Sequence, residues 1–104
     1  MDLKDRISAR NPSARIATAC LQFGSPTLEE TVSILAAEGI KKIVVVPVFI
    51  STRGHVAKDV PVLIERTRRQ FPTIEISTSP AIGEFPAVQQ AMIDGIAAIV
   101  DGHI

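Results

Sequence analysis

A nearly unbroken apolar run, Ile43-Val44-Val45-Val46-Pro47-Val48-Phe49-Ile50, constrains this chain more than any other feature. β-Branched residues without alternation predict a strand over residues 42–49 with both faces covered, as in a parallel sheet between helices. Pro47 has no N–H, so pairing is expected to stop on one side there. The run leads into Ser51-Thr52-Arg53-Gly54-His55-Val56-Ala57-Lys58-Asp59-Val60-Pro61. This reads as a polar loop and then a helix capped by Asp59, with Pro61 tolerated in its first turn. A strand that delivers a ring nitrogen to the mouth of a sheet, just ahead of a helix N-terminus, is how α/β proteins build small-molecule sites.

The rest of the chain alternates helix and strand signals. Leu3 and Ile7 make a narrow helical stripe over residues 2–10, stopped at Asn11-Pro12. Residues 15–23 read as a first strand, broken by Gly24-Ser25-Pro26. Ser25 is placed to cap a helix with Pro26 at its first position, and Thr27 with Glu30 offers a capping box one step inward. Leu28, Val32 and Leu35 then share a helical face, and Gly39 suits the C-terminal cap. A further helix carries Val60, Leu63, Ile64 and Phe71 and ends at Pro72; residues 73–79 form a third strand, with Ile74 and Ile76 on one face. Pro80 and Gly83 make a loop, and Pro86 opens a last helix with Val88, Met92, Ile96 and Val100 on one side. Repeated strand–helix order implies a parallel sheet with right-handed crossovers. The expectation is an α/β fold, a three-layer parallel sheet in a single domain over residues 1–104.

Composition narrows the function classes. Eleven basic and eleven acidic side chains cancel, so the basic footprint of a nucleic-acid binder is absent and no nucleic-acid partner is expected. Arg66, Arg68 and Arg69 cluster in sequence, but successive helical positions spread them over a solvated helix end. Cys20 is the only cysteine; it lies in an apolar run and is expected to be a buried, inert thiol. The apolar runs are too short to span a bilayer, and Met-Asp-Leu-Lys-Asp-Arg at the start lacks a signal peptide's apolar segment. A cytoplasmic protein without a membrane partner is expected.

His55 is the leading candidate for chemistry, as a metal ligand or proton acceptor. The positive end of the following helix disfavours imidazolium and keeps a lone pair free. Arg53 and Lys58 flank it and could hold carboxylates. Asp59 is a helix cap rather than a ligand. Gln22 ends the first strand on the same sheet edge, where it could contact a ligand, and Glu84, after the third strand, is the nearest candidate for a second metal-ligating oxygen. His103 lies beside the terminus and is expected to be disordered. No glycine-rich phosphate loop, serine-centred elbow or CxxC pair occurs. An open zinc site usually takes about three protein ligands, so one histidine needs help from a substrate or another chain.

These residues resemble a known family. The run from Ile43 to Phe49, followed by Gly54-His55-Val56-Ala57-Lys58-Asp59-Val60-Pro61, is similar to the VVPLFL…RHVxxDIP signature of the small CbiX-type chelatases. Leu21-Gln22-Phe23-Gly24-Ser25-Pro26-Thr27-Leu28-Glu29-Glu30 is similar to their LEFxxPSLEEA segment, and Pro80-Ala81-Ile82-Gly83 matches their PlG loop weakly. The resemblance implies insertion of a divalent ion, cobalt or in relatives nickel or iron, into sirohydrochlorin or a related tetrapyrrole. It also implies a homodimer with facing sites. The family begins with a central strand ending in His-Gly-Ser, whose histidine is the first of two metal-binding histidines. That strand is absent here, giving a half-chelatase fold lacking the first strand, in which His55 carries over as the second histidine. Gln22 replaces the family's glutamate.

The leading expectation is therefore a sirohydrochlorin cobaltochelatase-like lyase of cobalamin biosynthesis. In it His55 is catalytic and metal-binding, and Arg53, Lys58 and Gln22 contact the tetrapyrrole. The alternative is a truncated, non-catalytic relative that binds metal or tetrapyrrole weakly or acts as a subunit. A third reading is an α/β interaction domain in which the histidine is incidental.

Overall fold

The computed structural model describes residues 3–21, 24–50 and 55–102, with the side chains of residues 55–57 outside the description. Two compact units result, Met1–Lys41 and Lys42–Ile104.

In the first unit, α1 (Leu3–Arg10) stops as expected at Asn11. The Asn11 amide and its Nδ2 both donate to the Ile7 carbonyl, at 3.1 and 2.9 Å, and Pro12 follows. The strand expected over residues 15–23 is not formed. Its described part makes an isolated bridge, Cys20 with Thr27, where the Cys20 N–H donates to the Pro26 carbonyl at 2.7 Å. An extended segment becomes a strand only when a neighbour takes up its backbone groups, and no described strand does so here. Cys20 is half-buried rather than buried.

Helix α2 (Leu28–Ala37) starts at Thr27, not Ser25. The Glu30 N–H donates to Thr27 Oγ1 at 3.1 Å, and the Thr27 N–H donates to Glu30 Oε1 at 3.3 Å. This reciprocal box satisfies two amides, which a Ser25 cap cannot match. The other end closes as predicted: Gly39 adopts φ +87°, and the Ile40 N–H reaches back to the Leu35 carbonyl at 3.1 Å. Val32 and Leu35 are buried, and Thr31 Oγ1 donates to the Thr18 carbonyl at 3.0 Å, seating the helix on the preceding segment.

The second unit is a strand–helix–strand unit followed by a helix. Strands β1 (Lys42–Val45) and β2 (Glu75–Thr78) pair in parallel, from Lys42 opposite Glu75 to Val45 opposite Thr78. The described sheet has two strands where the sequence predicts three, and a three-layer arrangement is not seen. The described ladder ends two residues before Pro47, as its missing N–H requires. The segment beyond is nevertheless held along one side. The carbonyls of Val45, Pro47 and Phe49 accept from Ser79, Ile82 and Gly83 N–H at 2.9, 2.9 and 3.1 Å.

Coverage of both faces, expected from the β-branched run, is also corrected. Ile43, Val45 and Phe49 are half-buried and Pro47 is buried, whereas Val44, Val46, Val48 and Ile50 are 47–66% exposed. Alternate residues point to opposite faces, and one of those faces carries the packing.

Helix α3 (His55–Gln70) begins four residues earlier than predicted, so Asp59 lies within it and Pro61 is internal. Pro61 is exposed, with its ring off the buried row of Val60, Ile64 and Thr67. The predicted face is half right: Leu63 and Phe71 are half-buried, and Thr67 is fully enclosed. Thr67 Oγ1 donates to the Leu63 carbonyl at 2.7 Å, so the hydroxyl enters the core without an unsatisfied bond. Across from it lie Ile74 and Ile76 of the β2 region, both buried.

A short 3₁₀ turn, η1 (Ile82–Glu84), precedes α4 (Pro86–Val100), which starts at Pro86 as predicted. The packed side of α4 differs from the expected one. Val88, Met92, Gly95 and Ala98 are half-buried, while Ile96 and Val100 are 62% and 78% exposed. Small residues permit the closer approach, and the larger aliphatic side chains are left outside.

Candidate functional site

The candidate site is built where the apolar run leaves the sheet. Three alternate carbonyls of that run are tied to the chain between Ser79 and Gly83, so its direction is set as far as Phe49. Ile50 is fixed by a steric contact as well. Gly83 is buried, and a Cβ built on it would collide with the Ile50 carbonyl oxygen and lie 2.6 Å from the carbonyl carbon and 2.7 Å from Cα. From the other side, Gln89 Nε2 of α4 donates to the Gly83 carbonyl at 3.2 Å. The end of the sheet is thus gripped by a turn that is itself braced by a helix.

Four residues further on, His55 is the first residue of α3. It was expected in the loop, four positions before a cap at Asp59; it lies instead on the helix, at its N-terminal end. Lys58 follows three positions later, one turn along the same side of α3, and is exposed. Asp59 is also exposed. The side chain of His55, Arg53 and Gln22 all lie outside the described residues, as does His103. Glu84 closes η1 and is exposed. The structure therefore places the Glu84 turn against the strand end that leads to His55.

Among the described residues, no group of three or more His, Cys, Asp or Glu could hold a metal ion. Two surface depressions occur in the first unit, one lined by Leu3, Arg6, Ile7, Arg10 and Asn11 and the other centred on Thr18, Thr31 and Leu35. Neither includes a described candidate residue. The Arg15–Glu38 ion pair is electrostatically prominent but also belongs to the first unit: the hydrogen bonds from Arg15 hold the Glu38 carboxyl below its ordinary range. No described helix is long and apolar enough to cross a membrane. Sequence reasoning passed over Gly83 and Gln89. An isolated glycine in a loop carries no signal of what backbone will press against it.

Comparison with known proteins gives a consistent result. The CbiX family model matches residues 1–99. A sirohydrochlorin cobaltochelatase of Methanococcus aeolicus is 32% identical over 58% of this chain and 42% of its own length. One from Saccharolobus islandicus is 32% identical over 73% of this chain and 64% of its own length. One from Saccharolobus solfataricus is 38% identical over 61% of this chain and 54% of its own length. The chain thus spans less than two thirds of the length of these relatives. The crystal structure of a protein from Marinobacter aquaeolei, described as a cobalamin biosynthesis CbiX protein, matches with a TM-score of 0.73. It is 25% identical, over 95% of this chain and 81% of that one.

Proposed function

The chain belongs to the CbiX family, and from that premise we propose that it inserts a divalent metal ion into sirohydrochlorin or a related tetrapyrrole. Cobalt is the leading ion, because the relatives matched are sirohydrochlorin cobaltochelatases; nickel and iron are the alternatives. The observation that carries the reading is the position of His55, at the start of α3 and four residues past the clamped strand end.

Insertion exchanges the ring's pyrrole N–H protons for the ion, so a metal-holding group and a proton acceptor are both useful at the ring face. Imidazole can serve as either. It is a good ligand for cobalt, nickel and iron, and its ordinary pKa of about 6.5 suits proton acceptance near neutrality. A helix N-terminus beside it disfavours the imidazolium form and leaves the lone pair available. Lys58, one turn along α3, and Arg53 supply positive charge for the macrocycle's carboxylates. Gln22 is a neutral contact to the ring system, and Glu84 is the candidate second oxygen ligand. In this reading the protein works in the cytoplasm as a homodimer, whose second copy brings another His55 toward the same ring.

Replacing His55 by Ala and following cobalt insertion through the tetrapyrrole's absorbance tests the proposal. Turnover should fall by at least about 10²-fold, the usual contribution of a positioned acid–base group. Undiminished turnover would overturn it. Saturable cobalt binding by the unaltered chain with no insertion would instead support a non-catalytic, binding relative, the reading favoured by Gln22 in place of the family's glutamate.

A further inference from the structure

We infer that Gly83 is a positioning residue for His55: the absence of a side chain at Gly83 lets η1 seat directly on the Ile50 backbone, which sets where the chain leaves the sheet on its way to the imidazole. The inference rests on the reading of His55 as the group that handles the metal.

Gly83 is not there for its backbone freedom. The positive-φ glycines are Gly24, Gly39 and Gly102, and Gly83 is not among them. Its requirement is space. An added Cβ would coincide with the carbonyl group of Ile50, and ordinary Cβ contacts begin near 3.4 Å, so one backbone or the other must move. Neither is free to do so without breaking bonds. Gly83 N–H is bonded to the Phe49 carbonyl at 3.1 Å, Ile82 N–H to the Pro47 carbonyl at 2.9 Å, and the Gly83 carbonyl to Gln89 Nε2 at 3.2 Å. A methyl at this position therefore pushes on Ile50, where the bonding along the strand runs out.

Only residues 51–54 separate Ile50 from His55, which opens α3. Four residues leave little slack, so a shift at Ile50 is passed on to the imidazole. Misplacement of a working group by about 1 Å is enough to cost on the order of 10²-fold in rate. Gly95 makes the natural comparison: a Cβ there meets nothing within 4 Å.

The test uses the full chain and cobalt(II) chloride as probe. The ring resonances of the two histidines, His55 and His103, are assigned with His55→Ala and titrated with pH by NMR, and cobalt affinity is measured alongside. Gly83→Ala should move the His55 titration, leave His103 where it was, and weaken cobalt binding on the order of tenfold. Gly95→Ala should change neither. A folded Gly83→Ala variant with an unaltered His55 titration overturns the inference. If Gly83→Ala does not fold, Gln89→Met decides, since it keeps the glycine and removes only the bond to the Gly83 carbonyl. A smaller shift of the His55 titration in the same direction is expected, and no shift overturns the inference. Should His55→Ala retain full cobalt affinity, the metal-handling reading fails, while the positioning of the ring is still read from its own titration.

Discussion

Arg68 Nε donates to the carbonyl of Ile76 at 2.8 Å. Ser79 N–H points toward β1, where it meets the Val45 carbonyl, and backbone groups alternate in direction along a strand. The Ile76 carbonyl therefore faces away from β1, and Arg68, reaching down from α3, closes the outer edge of the sheet. Glu65 holds the same guanidinium through Nη1 at 3.2 Å. Edges left open invite pairing with other chains. Arg68→Ala should lower stability by roughly 1–2 kcal/mol, the worth of a charge-assisted bond to a backbone carbonyl, and raise the tendency to aggregate. Urea unfolding and light scattering check both; an unchanged midpoint would show that the bond is dispensable.

The Arg15–Glu38 pair predicts an acid limb in the stability of the first unit. Arg15 Nε and Nη2 donate to the two carboxylate oxygens at 2.9 and 3.0 Å. These bonds hold the Glu38 pKa below its ordinary value of 4.5. A depressed folded value means the unfolded state binds the proton more readily, so stability rises with pH through this range. The contribution is complete above the ordinary value and is lost as pH falls through the lower, folded one. Glu38→Gln should flatten the dependence in acid unfolding curves and leave the neutral side of the profile in place. High salt should weaken it too, since both side chains are substantially exposed.

Both ends of α2 are closed by short-range devices whose removal is measurable. Thr27→Ala breaks the reciprocal box with Glu30 and should cost about 1 kcal/mol. Gly39→Ala places a Cβ at φ +87° where nothing else obstructs it, so its cost, again about 1 kcal/mol, is conformational alone. The two sites lie at opposite ends of the helix, and the double variant should lose close to the sum. Urea midpoints of the three variants decide this.

Lys58 separates substrate holding from chemistry. If it binds a macrocycle carboxylate without taking part in metal transfer, Lys58→Ala should raise KM by about 3- to 10-fold, as for a single lost ion pair, with kcat nearly unchanged. Lys58→Arg should recover most of the affinity. A fall in kcat with constant KM would move Lys58 into the chemical step.

Much of this fold is legible along the chain because its signals are local. Asn11-Pro12, the Thr27–Glu30 spacing, Gly39 and Pro86 each mark a helix boundary through the chemistry of a few adjacent residues. The β-branched run announces β1, and Ile74 with Ile76 announces β2. The errors have a common cause. Residues 15–23 have the composition of a strand, yet a strand is a relation with a partner, and their described part finds no ladder. Asp59 and Pro61 resemble a helix start, but the helix propagates back to His55 because tertiary packing of Val60, Ile64 and Thr67 outweighs a favourable cap. On α4, the small residues Gly95 and Ala98 pack while Ile96 and Val100 stay outside, contrary to a ranking by hydrophobicity.

The candidate site divides in the same way. Sequence by itself determined that a histidine follows the central apolar run at short range with a lysine one turn beyond, because covalent spacing and helix periodicity are properties of a linear string. Tertiary structure alone decided that Gly83 must have no side chain, that Gln89 braces it, and that Arg68 closes an edge formed by Ile76. Those are contacts between backbone and side-chain atoms brought together from distant positions. Excluded volume and hydrogen-bond direction act only after the chain has returned on itself.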